Sequence, residues 1–178
     1  MISDEAIIKG CVEGKRQMQK MLFQKYSPTM LGVCQRYSKD MHEAEDIMLE
    51  GFMLIFEKIS QFKNVGSFEG WMKRIMVNLA ISHYRKNLKF LYTENIIDFE
   101  IDAEIASPLE NISIREILST LEQLPEGYRL IFNLYVVEGY NHFEIAKKLS
   151  VSVGTSKSQL SKARKALQIL LLNKENDI

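Results

Sequence analysis

Along most of this chain, apolar residues recur at spacings of three and four, which places them on one side of an α-helix. The clearest pattern spans residues 41–62, where one side collects Ala44, Ile47, Met48, Phe52, Ile55, Ile59 and Phe62. Further helices are predicted within 3–37, where Pro28 is expected to open a second helix, and at 68–90, 112–124, 128–137, 142–149 and 153–172. Alternation typical of β-strands never persists, so the sequence predicts an all-α fold.

Two stretches interrupt the helical pattern. Residues 63–67 are predicted to form a loop because they include Asn64 and Gly66. Residues 91–111 contain six acidic residues, no basic residue and the pair Ser107-Pro108, a composition typical of a linker. We therefore expect two small helical domains, residues 1–90 and 112–178, joined by an acidic flexible linker at 91–111.

The C-terminal domain has the spacing of a helix-turn-helix. Ala146 is a small residue at the position where two helices would cross closely, and a four-residue break before the next helix follows soon after it. Asn141 and Glu144, three residues apart, are predicted to cap the first helix, and Ser152 is predicted to cap the second.

The second helix of this motif separates two kinds of residue. Ser156, Leu160, Ala163 and Leu167 share one side and are predicted to pack inward. The other side and its flank carry hydroxyl, amide and basic groups: Thr155, Lys157, Ser158, Gln159, Lys162, Arg164 and Lys165. Hydroxyls and an amide can reach base edges in a major groove while cations meet phosphates, so this side is predicted to bind duplex DNA. A terminal amphipathic helix with a solvated basic side is the alternative.

The helix predicted at 68–90 carries a second candidate surface. One side has an indole, an amide and three cations, at Trp71, Arg74, Asn78, Arg85 and Lys89, and an adjoining side, expected to be core, has Phe68, Met72, Ile75 and Leu79. Flat rings accept unstacked bases and cations follow a phosphate backbone, which favours single-stranded nucleic acid. Trp71 could equally be a core residue, whereas Asn78 is a poor helix former and indicates a polar role.

An acidic stripe is predicted on the helix at 41–62, opposite its apolar side. It consists of Glu43, Asp46, Glu50 and Glu57, with Leu49 and Phe56 at its edge. Spacing alone favours a solvated surface, which is the common fate of such charges. The functional alternative is a docking strip for a basic partner helix.

Composition excludes several classes of protein. The chain has 178 residues, 46% of them apolar, which suffices for a buried core. No apolar run reaches the roughly 18 residues of a membrane span, and the acidic N-terminus lacks the features of a signal peptide, so we expect a cytoplasmic protein with no membrane insertion. Two cysteines and three isolated histidines match no metal spacing. Without a phosphate loop or nucleophile signature, we expect no catalytic residue, no metal, no cofactor and no enzyme.

Charge is distributed unevenly although the net charge is zero. Residues 1–92 hold 14 basic and 10 acidic residues, residues 93–126 hold 1 and 9, and residues 127–178 hold 8 and 4. Neutrality argues against binding nucleic acid by bulk charge. Two mildly basic blocks around an acidic middle indicate two working modules and a connector.

Taken together, the two modules resemble a known family. Ala44-Glu45-Asp46-Ile47 and the run from Phe68 to Asn78 resemble the N-terminal domain of extracytoplasmic-function (ECF) sigma factors of bacterial RNA polymerase. Leu124 to Arg129, Glu144-Ile145-Ala146 and Gly154 to Leu160 resemble their C-terminal domain. The resemblance covers about residues 8–172. Ser150 departs from the usual Gly, Ser156 from the usual Val, and His83 from the usual Asp or Asn.

The resemblance implies a function and a role for each surface. Core RNA polymerase and promoter DNA are the implied partners, and many relatives are also held by an anti-sigma factor. Asp46 and Glu50, with Phe56, would face the clamp helices of the largest polymerase subunit. Loop 61–67 and Asn78 would hold a base flipped from the −10 element, flanked by Trp71, Arg74, Arg85 and Lys86. The helix at 154–165 would read the −35 element as duplex.

Two other functions are compatible with a helix-turn-helix in an all-α chain. A one-component transcriptional repressor would bind duplex operator alone, usually as a symmetric dimer. It would have no use for the strand-binding side at 71–89 or the acidic stripe. A helical interaction protein without a nucleic-acid role would tolerate replacement of Lys157, Lys162 and Arg164.

Overall fold

The computed structural model describes residues 2–63, 65–91 and 119–176. Within these residues all regular structure is helical, which confirms the all-α prediction. Backbone contacts divide the chain into two compact units, Met1–Leu88 and Lys89–Ile178. The predicted linker, apart from Leu91, and most of the helix predicted at 112–124 lie outside the described residues. In the described ranges, no helix has the length and apolar character that a membrane crossing requires.

The first unit is a helical bundle, and its elements in the described part of the chain are α1 (Asp4–Val12), α2 (Arg16–Gln35), α3 (Met41–Lys58), a 3-10 turn (Ile59–Gln61) and α4 (Phe68–Leu91). Helix α2 packs on both α1 and α3, and the 3-10 turn packs on α1. The largest fully buried side chains of this unit are Leu22, Met30, Ile47, Ile55, Met72 and Met76.

The prediction that Pro28 opens a separate helix is wrong, because α2 runs through it. A proline inside a helix removes one backbone hydrogen bond and costs about 3 kcal/mol. Tyr26 and Met30, on either side of Pro28, are both buried, so packing of one continuous apolar side offsets that cost. The chain breaks instead after α1, where Gly14 adopts a left-handed conformation with φ of 74°.

Helix α4 buries a different side from the one predicted. Phe68 and Met72 are buried as expected, but Ile75 and Leu79 are only half-buried. The rest of its core side consists of Met76, Val77, Ala80 and Ile81. Apolar residues surround most of this helix, so periodicity alone does not select the side that meets the bundle.

The second unit holds the helix-turn-helix. Residues 119–121 are helical and a turn follows, earlier than the predicted end at 124. The next elements are α5 (Glu126–Phe132), a π-helical turn (Asn133–Val137), α6 (His142–Leu149) and α7 (Val153–Asn176). Helix α7 packs on both α5 and α6. Arg129 is buried and its Nη1 donates to the carbonyl oxygen of Glu122 at 3.3 Å, which ties the turn to α5.

A close approach inside the first unit generates a stability prediction. A Cβ at Gly51 would collide with the Met76 side chain, which is fully buried, whereas a Cβ at Gly32 of α2 would meet open space. Overpacking costs about 1–3 kcal/mol, against a gain of about 1 kcal/mol from replacing a helical glycine by alanine. We expect Gly51→Ala to lower the free energy of unfolding and Gly32→Ala to raise it by about 0.5–1 kcal/mol.

Urea unfolding followed by tryptophan fluorescence measures this effect in the first unit, because Trp71 is the chain's single tryptophan. Gly32→Ala is the matched control, since it makes the same chemical change in a helix of the same unit. Equal stability of the two variants would contradict the close packing of Gly51 against Met76.

Candidate functional site

The helix-turn-helix is held by the caps that the sequence predicts. Asn141 Oδ1 accepts hydrogen bonds from the backbone N–H of Phe143 at 2.9 Å and of Glu144 at 3.0 Å. Glu144 Oε2 accepts in return from Asn141 N–H at 2.8 Å, which completes a capping box. Ser152 Oγ accepts from Thr155 N–H at 2.9 Å and caps α7. These contacts fix the first turn of both helices.

The turn between α6 and α7 explains why glycine is usual at its start. Ser150 has φ of 58° and ψ of 40°, a left-handed conformation that ends α6. This conformation costs an ordinary L-residue roughly 1–2 kcal/mol and a glycine nothing. Serine is accepted here at some cost in stability, and the geometry of the motif is kept.

Helix α7 separates its two sides as predicted. Ser156, Leu160, Ala163 and Leu167 are buried. Of the candidate DNA-binding residues, the exposed ones are Lys157, Ser158, Arg164 and Lys165, and the half-buried ones are Thr155, Gln159 and Lys162. The Thr155 hydroxyl lies 2.8 Å from Ser152 Oγ, so it takes part in the cap. The structure therefore brings all seven to the surface of one helix.

Two cations of this unit rest on aromatic rings, a feature that residue spacing does not predict. The guanidinium of Arg164 lies 5.8 Å from the ring centre of Tyr135, and the ammonium of Lys148 lies 4.6 Å from that of Tyr140. Tyr135 also stacks on His142, with ring centres 4.7 Å apart. His142 Nδ1 in turn lies 2.9 Å from Ser156 Oγ.

The candidate strand-binding side of α4 is exposed at its polar positions. Arg74, Asn78, Arg85 and Lys86 are all exposed, while the side chain of Lys89 lies outside the described residues. Trp71 is half-buried, and its ring centre lies 5.6 Å from those of both Phe62 and Phe68. The indole thus packs on an aromatic cluster and keeps part of its surface exposed. Its position is intermediate between the two alternatives from the sequence, a core residue and a ring that accepts a base.

The loop before α4 is shaped by two residues at its end. Gly66 has φ of 81°, and Ser67 Oγ accepts a hydrogen bond from the backbone N–H of Gly70 at 3.0 Å. Ser67 therefore caps α4, a role that spacing did not predict. Val65 presents an apolar side chain that is 84% exposed, and Asn64 lies outside the described residues.

The acidic stripe on α3 is divided by the structure. Asp46, Glu50 and Glu57 are exposed. Glu43 instead accepts a hydrogen bond from Lys39 N–H at 2.8 Å and helps to cap the start of α3. Phe56 is half-buried, with its ring centre 6.1 Å from that of Phe52.

Exposed apolar side chains and a histidine lie beside the acidic residues of the stripe. Met53, on the same side of α3, is 73% exposed, and Leu49 is 50% exposed, so the surface is both acidic and apolar. Glu50 Oε2 lies 2.7 Å from His83 Nε2 on α4. His83, one of the three residues that depart from the family pattern, therefore contacts Glu50, a proposed docking carboxylate.

The cysteines do not contribute a reactive group to these surfaces. Both are buried, and burial raises the pKa of the Cys34 thiol to about 12 and that of Cys11 above its ordinary value. Among the described residues, no three His, Cys, Asp or Glu side chains are grouped as metal ligands would be.

Comparison with protein-family models identifies both units. Residues 22–89 match the model of sigma-70 region 2, and residues 114–167 match that of sigma-70 region 4. The RNA polymerase sigma-H factor of Pseudomonas aeruginosa is 30% identical over 94% of this chain and 95% of its own length. The ECF RNA polymerase sigma factor SigW of Bacillus subtilis is 30% identical over 80% of this chain and 83% of its own length.

The chain therefore belongs to the sigma-70 family of RNA polymerase sigma factors, in the ECF group. Members of the family are transcription initiation factors, and the repressor alternative is not favoured. A solved structure, the sigma factor RpoE in complex with the anti-sigma factor NepR from Bartonella quintana, matches with a TM-score of 0.48 and 22% identity over 85% of this chain and 95% of that chain. The assignment rests on the sequence matches and not on this likeness.

Proposed function

We propose that this chain binds core RNA polymerase and directs it to promoters by two separate contacts with DNA. Helix α7 reads the −35 element as duplex, and α4 with the loop before it captures a base of the −10 element from the non-template strand. The observation that carries this proposal is a pair of exposed basic surfaces, on α4 and α7, in the two units that match regions 2 and 4. A protein that binds only duplex DNA needs only the surface on α7.

The roles of the domains follow from this division. Residues 1–90 bind polymerase and melt the −10 element, residues 112–178 bind the −35 element, and residues 91–111 connect them. The chain supplies no catalytic residue and no cofactor, because polymerisation belongs to its partner. Its place of action is the cytoplasm, where the polymerase works. An anti-sigma factor is a further partner that the family implies.

Capture of a flipped base suits the geometry of α4. Extracting a base costs a few kcal/mol, so a site that binds only the extracted base couples sequence recognition to melting. Asn78 offers an amide on the exposed side of α4, and Arg74 and Arg85 lie one and two turns away for the backbone of the strand. Trp71, held on its aromatic cluster, offers a partly open ring on which an unpaired base can stack.

Polymerase binding is assigned to the side of α3 that carries Asp46, Glu50 and Phe56. Exposed carboxylates at Asp46 and Glu50 suit a basic partner helix, and the exposed Met53, between Glu50 and Glu57 along α3, adds apolar area to the surface. Such a combination of a hydrophobic centre and charged edges is typical of protein interfaces.

Transcription in vitro tests the function as a whole. Core polymerase with this chain, on a pool of genomic fragments, should give transcripts that share sequence elements upstream of their starts. Core polymerase alone is the control. Transcription that does not depend on the chain, or full occupancy of promoter fragments by the chain without polymerase, would contradict the proposal.

Reversing a charge in the acidic stripe tests polymerase binding. We expect Asp46→Arg to abolish co-purification with core polymerase, because it places a cation against a basic partner surface. Glu5→Arg is the matched control: Glu5 is also exposed, but it lies on α1 and not on the assigned side of α3. Circular dichroism should show both variants folded. Unchanged co-purification of Asp46→Arg would remove this side of α3 from the interface.

Replacing the amide on α4 tests base capture. We expect Asn78→Ala to co-purify normally with core polymerase and to form at least about tenfold fewer open complexes, the effect of losing roughly 1.4 kcal/mol. Permanganate reactivity of the melted −10 strand measures open complexes. Alanine is the better helix former, so a loss of melting does not follow from a weaker helix. Wild-type reactivity would show that Asn78 lies outside the site.

A further inference from the structure

The recognition helix α7 is attached at two points to a stack of aromatic rings that does not belong to it. The stack consists of Tyr135, in the π-helical turn, and His142, at the start of α6, with ring centres 4.7 Å apart. Ser156 of α7 meets the stack through His142 Nδ1 at 2.9 Å, and Arg164 of α7 meets it through the Tyr135 ring at 5.8 Å. These two residues are just over two turns apart along α7, about 12 Å.

The two attachments differ in exposure, and this difference points to different roles. Ser156 is fully buried, so its bond to His142 is an internal link between α6 and α7. Arg164 is exposed, so its guanidinium rests on a ring and also faces solvent at the flank of the DNA-reading side. A cation within about 6 Å of an aromatic ring centre is attracted to its face, which restricts the directions that a long side chain adopts.

We propose that Tyr135 is a positioning residue for −35 recognition: its ring holds the Arg164 guanidinium beside the base-reading side of α7, directed at one phosphate of the duplex. Arginine suits this role better than lysine, because its planar group stacks on a ring while its N–H groups stay free for a phosphate. Phosphate contacts of this kind fix the register of a protein on DNA. The inference rests on the proposed function, since it requires that α7 binds the −35 duplex.

The position of Tyr135 fits this role. It lies in the π-helical turn Asn133–Val137, and such turns in proteins often occur at functional sites because they displace one side chain from the regular spacing. Tyr135 itself is half-buried, while the neighbouring Asn133 and Leu134 are buried. Asn133 and Leu134 thus fix the turn in the core, and the Tyr135 ring lies partly exposed next to Arg164 of α7.

A double-mutant cycle on full-length chain bound to core polymerase tests the proposal. The probe is a promoter fragment obtained in the transcription test, and fluorescence anisotropy at low temperature, over a series of KCl concentrations, gives affinity and salt dependence. We expect Arg164→Ala to weaken binding and to reduce the slope of log affinity against log salt by about one, the loss of one phosphate contact. Tyr135→Leu should weaken binding roughly two- to fivefold, and Tyr135→Phe should bind like the wild type.

The cycle distinguishes positioning from a general loss of stability. In the Arg164→Ala background, Tyr135→Leu should have no further effect on affinity, because the residue that it positions is gone. Effects that simply multiply, or wild-type affinity of Tyr135→Leu, would overturn the proposal. If Tyr135→Leu fails to fold, Arg164→Lys decides: it should keep the salt slope and still bind roughly two- to fivefold more weakly, whereas wild-type affinity would overturn the proposal.

The same measurements separate this inference from the function on which it rests. Unchanged affinity of both Arg164→Ala and Lys162→Ala would overturn the proposed DNA-binding side of α7, and the positioning role with it. Weak binding of Arg164→Ala together with normal binding of Tyr135→Leu and of Arg164→Lys would overturn the positioning role alone.

Discussion

A helix can read DNA only if the contacts that hold it in place leave its reading side accessible. Helix α7 meets this constraint with a buried row of Ser156, Leu160, Ala163 and Leu167 and with a cap at Ser152. The hydroxyl, amide and basic groups of the opposite side thereby lie at the surface of the helix. Ser156 and Ala163 are small and fully buried on the side of α7 that packs on α5 and α6. The proposed reading of the −35 element depends on this arrangement.

The same constraint shapes the first unit, where two helices each carry a proposed binding surface. The Met76 side chain of α4 is buried against Gly51 of α3, so these two helices pack closely where α3 has no side chain. The outer sides of these helices carry the surfaces proposed to bind polymerase and single-stranded DNA. The contact between Glu50 and His83, at 2.7 Å, joins the acidic stripe of α3 to α4. A basic partner at Glu50 would compete with His83 for this carboxylate.

Sequence alone predicted the elements whose signal is local. The caps at Asn141, Glu144 and Ser152 and the inward row of α7 follow from residue types at fixed spacings, and the structure confirms them. The buried side of α4 and the helix through Pro28 were mispredicted, because packing against the rest of the bundle decides both. The pairs Glu50 with His83 and Tyr135 with Arg164 could not be predicted, since their members lie on different elements and no local pattern relates them. The proposed roles of the surface residues stay predictions.

Neutral net charge is consistent with the proposed division of DNA binding between this chain and polymerase. Attraction to phosphates supplies most nonspecific DNA binding, and it grows with the number of cations that a protein offers. This chain has zero net charge, with 9 acidic residues and 1 basic residue at 93–126 between its two basic blocks. Because its net charge is zero, the chain alone would bind random DNA weakly and would remain available to polymerase. In the proposed complex, its few cations act at fixed positions beside a partner that binds DNA generally, where phosphate contacts fix the register of the chain on the promoter.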